Sequence, residues 1–190
     1  MHNLLKEIDG TVDARVDDFE NEDDPEFTGW HRIEHLLWEK GDTAAAVPFA
    51  EQLVADLETL QTELETLEIP PAALTVGAGE LIEEVSTGKI TGEENRYSRT
   101  CLWDFAANVE GSEKVIVLLT PALDQANPAL LGSITQCFAD IDAALASYQE
   151  GVGYRSYETL TEADKTQMQT ILAGLSENLA QVSGALGLEG

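Results

Sequence analysis

Residues 29–40, "GWHRIEHLLWEK", place three side chains that could do chemistry, His31, Glu34 and His35, in one helical stretch. On a helix, positions three and four apart share a face, so His31 lies beside both of the others. Imidazole and carboxylate ligands together suit iron, zinc or manganese. The spacing also occurs by chance, and a metal site and a polar pair at the edge of a buried face both remain open. The zinc-protease order H-E-x-x-H is absent, because Arg32 follows His31.

A second polar group is predicted on a long helix that starts near Glu93 and Glu94, where the helix dipole favours carboxylates. Its members recur at spacings of 4, 3 and 4 and would form one stripe: Tyr97, Cys101, Asp104 and Asn108. Asp104 stands between two aromatic residues, which indicates partial burial. A buried carboxylate normally has a cation or a donor as its partner, and helical bundles build metal sites from inward carboxylates.

Two further acidic groups have weaker signals. In "DGTVDARVDDF", Asp9 and Asp13 are four residues apart, but the order of acidic residues that defines an EF-hand is missing. In "ELIEEV", Glu80 and Glu84 share a helix face and Glu83 lies partly beside them. A solvated acidic surface is the default interpretation of both groups.

The composition restricts the class of partner. The 190 residues include 36 acidic and 10 basic side chains, a net charge of −26. Such a charge argues against binding to nucleic acid or to an anionic membrane, and it suits cation binding or a high-salt, halophilic setting. No apolar run reaches about 18 residues, and the N-terminus has no signal-peptide pattern. Cys101 and Cys137 do not make a disulfide framework; they could pair with each other, but buried free thiols are expected.

Helical periodicity dominates the chain and predicts an all-α, antiparallel, up-and-down helical bundle in a single domain, residues 1–190. Thr28, Asn127 and Thr161 are placed as N-caps, Gly41 ends one helix, and Pro121 would kink or end another. The predicted helices cover about 1–9, 29–40, 44–68, 72–88, 93 to 119 or beyond, 128–149 and 162–186.

Taken together, these segments resemble the imelysin-like family of EfeO-type proteins. The resemblance rests on "DGTVDARVDDF", "FTGWHRIEHLLW", "LIEEVSTGKITGEENRYSRTCLWDFAANVEGSEKV", "ANPALL" and "GYRSYETLTEADK", in that order. It implies an all-helical domain of two four-helix-bundle halves. It also implies that the family's first helix, with an E-x-x-E pair, is missing before the "DG" element, which would leave an apolar groove exposed.

The resemblance further implies a function. It points to a non-catalytic metal-binding protein of a bacterial or archaeal EfeUOB-type iron uptake system, in the periplasm or at the cell surface. The expected cargo is Fe²⁺ or Fe³⁺, or another divalent metal such as Zn²⁺ or Cu²⁺. The expected partners are an iron permease and a peroxidase-like component. The family carries a peptidase label for historical reasons, but this sequence offers no protease motif.

Carried residue by residue, the H-x-x-E metal motif of the family falls on His31 and Glu34, with no role for His35, which is placed at the helix edge. A second metal cluster falls on Asp13 and on Glu94, which is preferred to Glu93. Two more carboxylates are expected nearby: Asp104 and, ranked lower, Glu83. Where relatives often have a histidine and an aspartate in "YSHTDLWDF", this chain has Arg99 and Cys101.

A function of a different class stays open beside metal binding. The chain could be a degenerate structural or interaction module that pairs, with a partner helix or as a homodimer, through the groove left by the missing helix. A metallopeptidase is a third and weaker hypothesis.

Overall fold

The computed structural model of the chain describes residues 8–188, and its regular structure there consists of helices and one two-stranded ribbon. The predicted all-α helical class is therefore confirmed. The chain groups into two units, Met1–Glu68 and Ile69–Gly190. The single domain over residues 1–190 stays a prediction.

The first unit contains α1, Gly29–Glu34, its continuation as a π-helical turn, His35–Glu39, and α2, Thr43–Leu64. Residues 8–12 are also helical, and a 3₁₀ turn follows at Val16–Asp18. Most of the predicted helix at 1–9 lies outside the described residues. The predicted helix at 29–40 is present, but its last part is wound more widely than an α-helix.

Two contacts fix α1 in the first unit. Gly29 has φ +72°, and a Cβ there would lie 2.1 Å from the backbone oxygen of Val12, so residues 8–13 pass directly over the start of α1. The Arg32 guanidinium lies 5.8 Å from the ring centroid of Phe27 and 5.2 Å from that of Phe49, which ties α1 to α2.

The second unit is a four-helix bundle with a short fifth helix. Each of the four long helices packs against the next, and the last packs against the first. The helices are α3, Pro71–Thr87; α4, Cys101–Ala126; α5, Pro128–Ala146; α6, Glu162–Leu179; and the short α7, Val182–Leu186. The fully buried side chains between them include Ile82, Leu102, Phe105, Leu123, Ile134, Ile141, Met168, Leu172, Leu175 and Leu179.

The caps predicted for two of these helices are confirmed. The Asn127 side chain accepts a hydrogen bond from the Leu130 amide at 3.1 Å. Thr161 and Asp164 bond reciprocally to each other's backbone amides and form a capping box. Thr28 occupies the N-cap position of α1 as predicted, but its side chain makes no capping bond, because its hydroxyl donates instead to the backbone oxygen of Thr11 at 2.9 Å.

The predicted start of the long helix near Glu93 is also wrong, since α4 begins at Cys101. Arg99 has φ +60°, a left-handed conformation that no α-helix can include. Its carbonyl accepts from the Tyr157 amide at 2.9 Å, which holds this conformation from outside the segment. Tyr97 therefore precedes the helix and does not belong to the predicted stripe. At the other end, α4 continues through Pro121 to Ala126.

The segment after α5 forms a small ribbon of β1, Gln149–Glu150, and β2, Gly153–Tyr154. Of the described helices, α5 alone is long and apolar enough to cross a membrane, judged by length and composition. It packs against α4 and α6 and buries five apolar side chains, as the core helix of a bundle does. Both cysteines are free as expected, and Cys101 is buried whereas Cys137 is partly buried.

Candidate metal centre

The buried face of α1 and its π turn carries ionisable side chains, and the exposed face carries tryptophans. His31, Glu34 and His35 are 6%, 7% and 2% exposed, whereas Trp30 and Trp38 are 50% and 57% exposed. Burying polar groups costs free energy unless they are hydrogen-bonded, and burying charges costs more. The face therefore needs compensating contacts inside the first unit. The prediction that His35 lies at the helix edge is wrong, and burial lowers the pKa of its imidazole.

The π-helical turn explains how Trp38 leaves this face. In an α-helix it would lie on the same side as His31 and His35. The turn closes instead with a bond from the Lys40 amide to the His35 carbonyl at 3.2 Å, five residues apart. The wider turn rotates the following side chains, so Trp38 points to solvent. Single π turns within α-helices are frequent at functional sites.

His31 is the centre of the polar contacts in the first unit. Its Nδ1 donates to Glu34 Oε2 at 2.9 Å, and its Nε2 donates to Asp13 Oδ1 at 3.2 Å. Asp13 also accepts from Arg15 Nη2 at 3.0 Å. The Asp13 side chain is 45% exposed and that of Glu34 is 8% exposed, so the Nε2 side of the ring faces solvent more than the Nδ1 side.

These contacts set the protonation of the cluster. Burial alone would lower the pKa of His31, but the hydrogen bonds to Asp13 and Glu34 raise it to about 9. Burial alone would raise the pKa of Asp13, but the hydrogen bonds from His31 and Arg15 lower it to about 2. At neutral pH, His31 is therefore an imidazolium between two carboxylates, with a proton on each ring nitrogen.

The arrangement suits a metal on one side of the ring only. Nδ1 and Nε2 lie at opposite edges of the imidazole, so Glu34 and Asp13 do not converge on a common point. Within residues 8–188, no three His, Cys, Asp or Glu side chains are grouped as a ready metal site. The 3.2 Å between His31 Nε2 and Asp13 Oδ1 matches the separation, about 3 to 3.5 Å, of neighbouring ligands that are each about 2.1 Å from one ion.

Glu34 takes the position of a carboxylate that orients a ligand. Histidines that bind metals usually donate their second ring N–H to a carboxylate, which fixes the tautomer and the ring orientation. The bond from His31 Nδ1 to Glu34 has this form. The H-x-x-E spacing thus brings the two residues together, with Glu34 behind the ring and Asp13 in front of it.

The remaining candidates lie in the second unit. Asp104, on the first turn of α4, accepts a hydrogen bond from the side-chain amide of Asn95. Glu94 is mostly buried, and its Oε1 lies 3.2 Å from Lys89 Nζ. Glu83 is exposed and lines a groove between α3 and α6 instead. The loop before α4 thus brings Glu94 and Asp104 into one region, and Glu83 lies elsewhere.

Two residues of this region were not singled out from the sequence. Asn95 donates a hydrogen bond to Asp104. It follows the candidate ligand Glu94 directly in "GEEN", and this neighbouring position is the one sequence feature that could have pointed to it. Lys89 pairs with Glu94 across the glycine turn in "GKITGEE", which the linear spacing does not reveal. Asn108, one turn after Asp104, has a buried Nδ2 without a hydrogen-bond partner among the described residues.

Cys101 is held by hydrogen bonds to the loop before α4. Its Sγ accepts from the Asn95 amide at 3.4 Å and donates to the Gly92 carbonyl at 3.6 Å. Burial raises the pKa of this thiol, which disfavours the thiolate that a metal would need. The Arg99 side chain lies 3.6 Å from Glu158 in a partly exposed ion pair.

Comparison with known proteins agrees with the helical fold and points to one group of proteins. The family model described as "Peptidase_M75: Imelysin" matches residues 2–183. The iron uptake system component EfeO of Escherichia coli strain K12 is 46% identical over 187 residues, 98% of this chain and 50% of that protein. The proteins of the same name from Shigella flexneri and Shigella sonnei match to the same extent. The chain spans about half the length of these curated relatives.

Proposed function

The chain belongs to the imelysin family, and on this premise we propose that it binds a metal ion, iron above all, as a non-catalytic component of an iron uptake system. The observation that carries the proposal is His31, which is buried yet has a carboxylate at each ring nitrogen. A residue needed for stability alone could be apolar at this position. Iron is proposed as the metal because the relatives are named as components of an iron uptake system, and this chain matches them over half their length.

In the proposed site, the ion binds between His31 Nε2 and Asp13 Oδ1 and replaces the proton that these atoms share. Glu34 keeps its bond to Nδ1 and so holds the ring in place. The half-exposed side chain of Asp13 marks the side from which the ion arrives. Imidazole and carboxylate ligands accept Fe²⁺ and Fe³⁺, and they also accept Zn²⁺ and Cu²⁺.

The carboxylates of the second unit are proposed as ligands of a metal ion bound within that unit. Glu94 is the stronger candidate, because its side chain is only 12% exposed and already holds a cation, the ammonium of Lys89. Asp104 is fixed by Asn95 with part of its carboxylate accessible. Glu83 ranks below both, because it is exposed.

The wider role is also a proposal. The relatives are named as components of an uptake system, which supports an iron permease and a peroxidase-like protein as partners. It also supports a periplasmic or cell-surface location in a bacterium or an archaeon. The net charge of −26 attracts cations to the surface. The non-catalytic role is supported by the absence, next to His31, of the glutamate that zinc proteases use as general base.

The test is calorimetric titration of the metal-free protein with Fe²⁺ under anaerobic conditions, and with Zn²⁺. We expect His31→Gln and Asp13→Asn to weaken binding by about 100-fold or more, and Glu34→Gln by about 10- to 100-fold, as for residues that orient a ligand. Glu39→Gln is the matched control, because it removes an exposed carboxylate from the same helical segment. If His31→Gln and Asp13→Asn bind as tightly as the parent, the site is misplaced.

A second candidate function, an interaction module, is favoured by one observation. Of the 22 residues of α2, only Ala46 and Leu53 are buried. Val47, Val54 and Leu64 of the same helix are exposed, and exposed apolar groups on one element can form a pairing surface. Size exclusion with light scattering tests it: a homodimer that forms with or without metal would favour pairing over transport.

A further inference from the structure

Lys89 and Glu94 form an ion pair that is largely shielded from water. The Nζ–Oε1 distance is 3.2 Å, and the two side chains are 16% and 12% exposed. Exposed ion pairs contribute little to stability, but removal of one partner from a buried pair leaves an uncompensated charge. The Lys89 ammonium also lies 3.9 Å from Oε1 of Glu84, whose side chain is 63% exposed.

The backbone around the pair is fixed from outside the segment. Lys89 begins a 3₁₀ turn that ends at Gly92, where φ is +82° and a Cβ would collide with the ring of Tyr157. The Tyr157 hydroxyl donates to the Ile90 carbonyl. Cys101 bonds to both the carbonyl of Gly92 and the amide that follows Glu94. The two charged side chains therefore start from anchored positions and meet in a preformed geometry.

We propose that Lys89 is a built-in competitor of the metal at Glu94. This inference rests on the proposed function, in which Glu94 is a metal ligand. The ammonium neutralises the carboxylate while no metal is present, and an arriving cation has to displace it from Oε1. Glu84 offers the displaced ammonium a second, solvent-exposed carboxylate within reach of its flexible stem. Lys89 thus lowers the affinity of the site and keeps binding reversible, as a protein that passes its cargo on requires.

The test is titration of metal-free Lys89→Met with Zn²⁺ and with anaerobic Fe²⁺, beside the parent. Because a hydrogen bond between charged groups no longer has to be broken, we expect affinity to rise by about ten-fold or more. Lys89→Met with Glu94→Gln should abolish the gain. Lys114→Met is the matched control: it removes one positive charge from an exposed position and should bind as the parent does.

A purely structural role of Lys89 predicts no gain in metal affinity when the lysine is replaced. If the lysine only supports the loop, Lys89→Met binds metal as the parent does or more weakly, and the proposal is overturned. Lys89→Arg keeps the charge and should bind no more tightly than the parent; a gain equal to that of the methionine variant would also overturn it. Should Lys89→Met fail to fold by circular dichroism, Lys89→Gln takes its place.

The two proposals can fail separately. If the parent binds metal and Glu94→Gln weakens that binding, but Lys89→Met brings no gain, only the competitor proposal is wrong. If neither the parent nor Lys89→Met binds Zn²⁺ or Fe²⁺, the proposed function itself is wrong.

Discussion

The protonated form of His31 holds the first unit together, and we predict that the free energy of unfolding of this unit falls as the pH rises from 6.5 to 9. The pKa of His31 is 6.5 as an ordinary histidine and about 9 in the folded protein. Because the folded pKa is the higher one, the contribution is fully present below pH 6.5 and is lost as the pH rises through 9. The perturbation that tests it is His31→Gln, which removes the titrating group.

The size of the effect follows from the two pKa values. A difference from 6.5 to about 9 corresponds, at about 1.4 kcal/mol per pH unit, to roughly 3 kcal/mol. The His31 side chain is 8% exposed, but its partner Asp13 is 45% exposed, and solvent screening reduces that part. We therefore expect a loss of about 2 to 3 kcal/mol between pH 6 and pH 9.5.

The assay is urea unfolding of chelator-treated protein at both pH values, followed by tryptophan fluorescence. Trp30 and Trp38 report on the first unit, and a Trp103→Phe substitution carried in both proteins removes the signal of the second unit. General repulsion in this acidic chain also grows with pH, but it affects the parent and His31→Gln alike. The reasoning is refuted if the two proteins lose the same stability between pH 6 and pH 9.5.

Three further predictions follow from the same contacts. Zn²⁺ affinity should fall by up to ten-fold per pH unit below about 9, because the ion displaces a proton from His31; calorimetry in buffers of different ionisation enthalpy measures the released proton, and a flat affinity between pH 6 and pH 8 would contradict it. Gly29→Ala should destabilise the first unit by more than about 2 kcal/mol and weaken metal binding, because its Cβ would lie 2.1 Å from the carbonyl just before Asp13. Gly41→Ala is the control, because φ there is +62° but no atom lies within 4 Å of the added Cβ. For this control, urea unfolding should show only the smaller cost of the backbone conformation, and calorimetry should show an unchanged metal affinity. Thr161→Ala should lower the stability of the second unit by about 1 kcal/mol by thermal unfolding, with no effect on metal affinity.

Helix ends could be predicted where the signal is local. The Asn127 and Thr161 caps are complete within three residues of the chain, so the sequence contains both partners of each bond. Thr28 stands at the N-cap, but its hydroxyl bonds to a competing acceptor, the carbonyl of Thr11, which lies 17 residues away. The start of α4 failed for the same reason, because the left-handed Arg99 is held by the Tyr157 amide.

In the candidate site too, contacts between residues close in sequence could be predicted, and contacts between distant residues could not. The contact between His31 and Glu34 is three residues apart on a helix, and the spacing alone predicts it. Asp13 was named by the resemblance, but no periodicity places it at the far nitrogen of the ring, 18 residues away. Lys89 and Asn95 act through a turn whose shape depends on Tyr157 and on the folded bundle, so their contacts could not be derived from linear distance.

The orientation of α1 conflicts with what burial alone would select. Apolar burial alone would favour an inward Trp30 and Trp38, since aromatic side chains bury the most apolar area, and gives no reason to bury His31 and Glu34. Both tryptophans are exposed instead, Trp38 through the π-helical turn, and the buried imidazolium depends on two carboxylates to remain charged. Side-chain placements that oppose the hydrophobic packing of the fold are expected at functional sites, where function costs some stability. The burial of His31 and Glu34 beside exposed tryptophans is therefore stronger support for a cation site than the H-x-x-E spacing. The spacing can arise by chance, whereas burying ionisable side chains costs free energy.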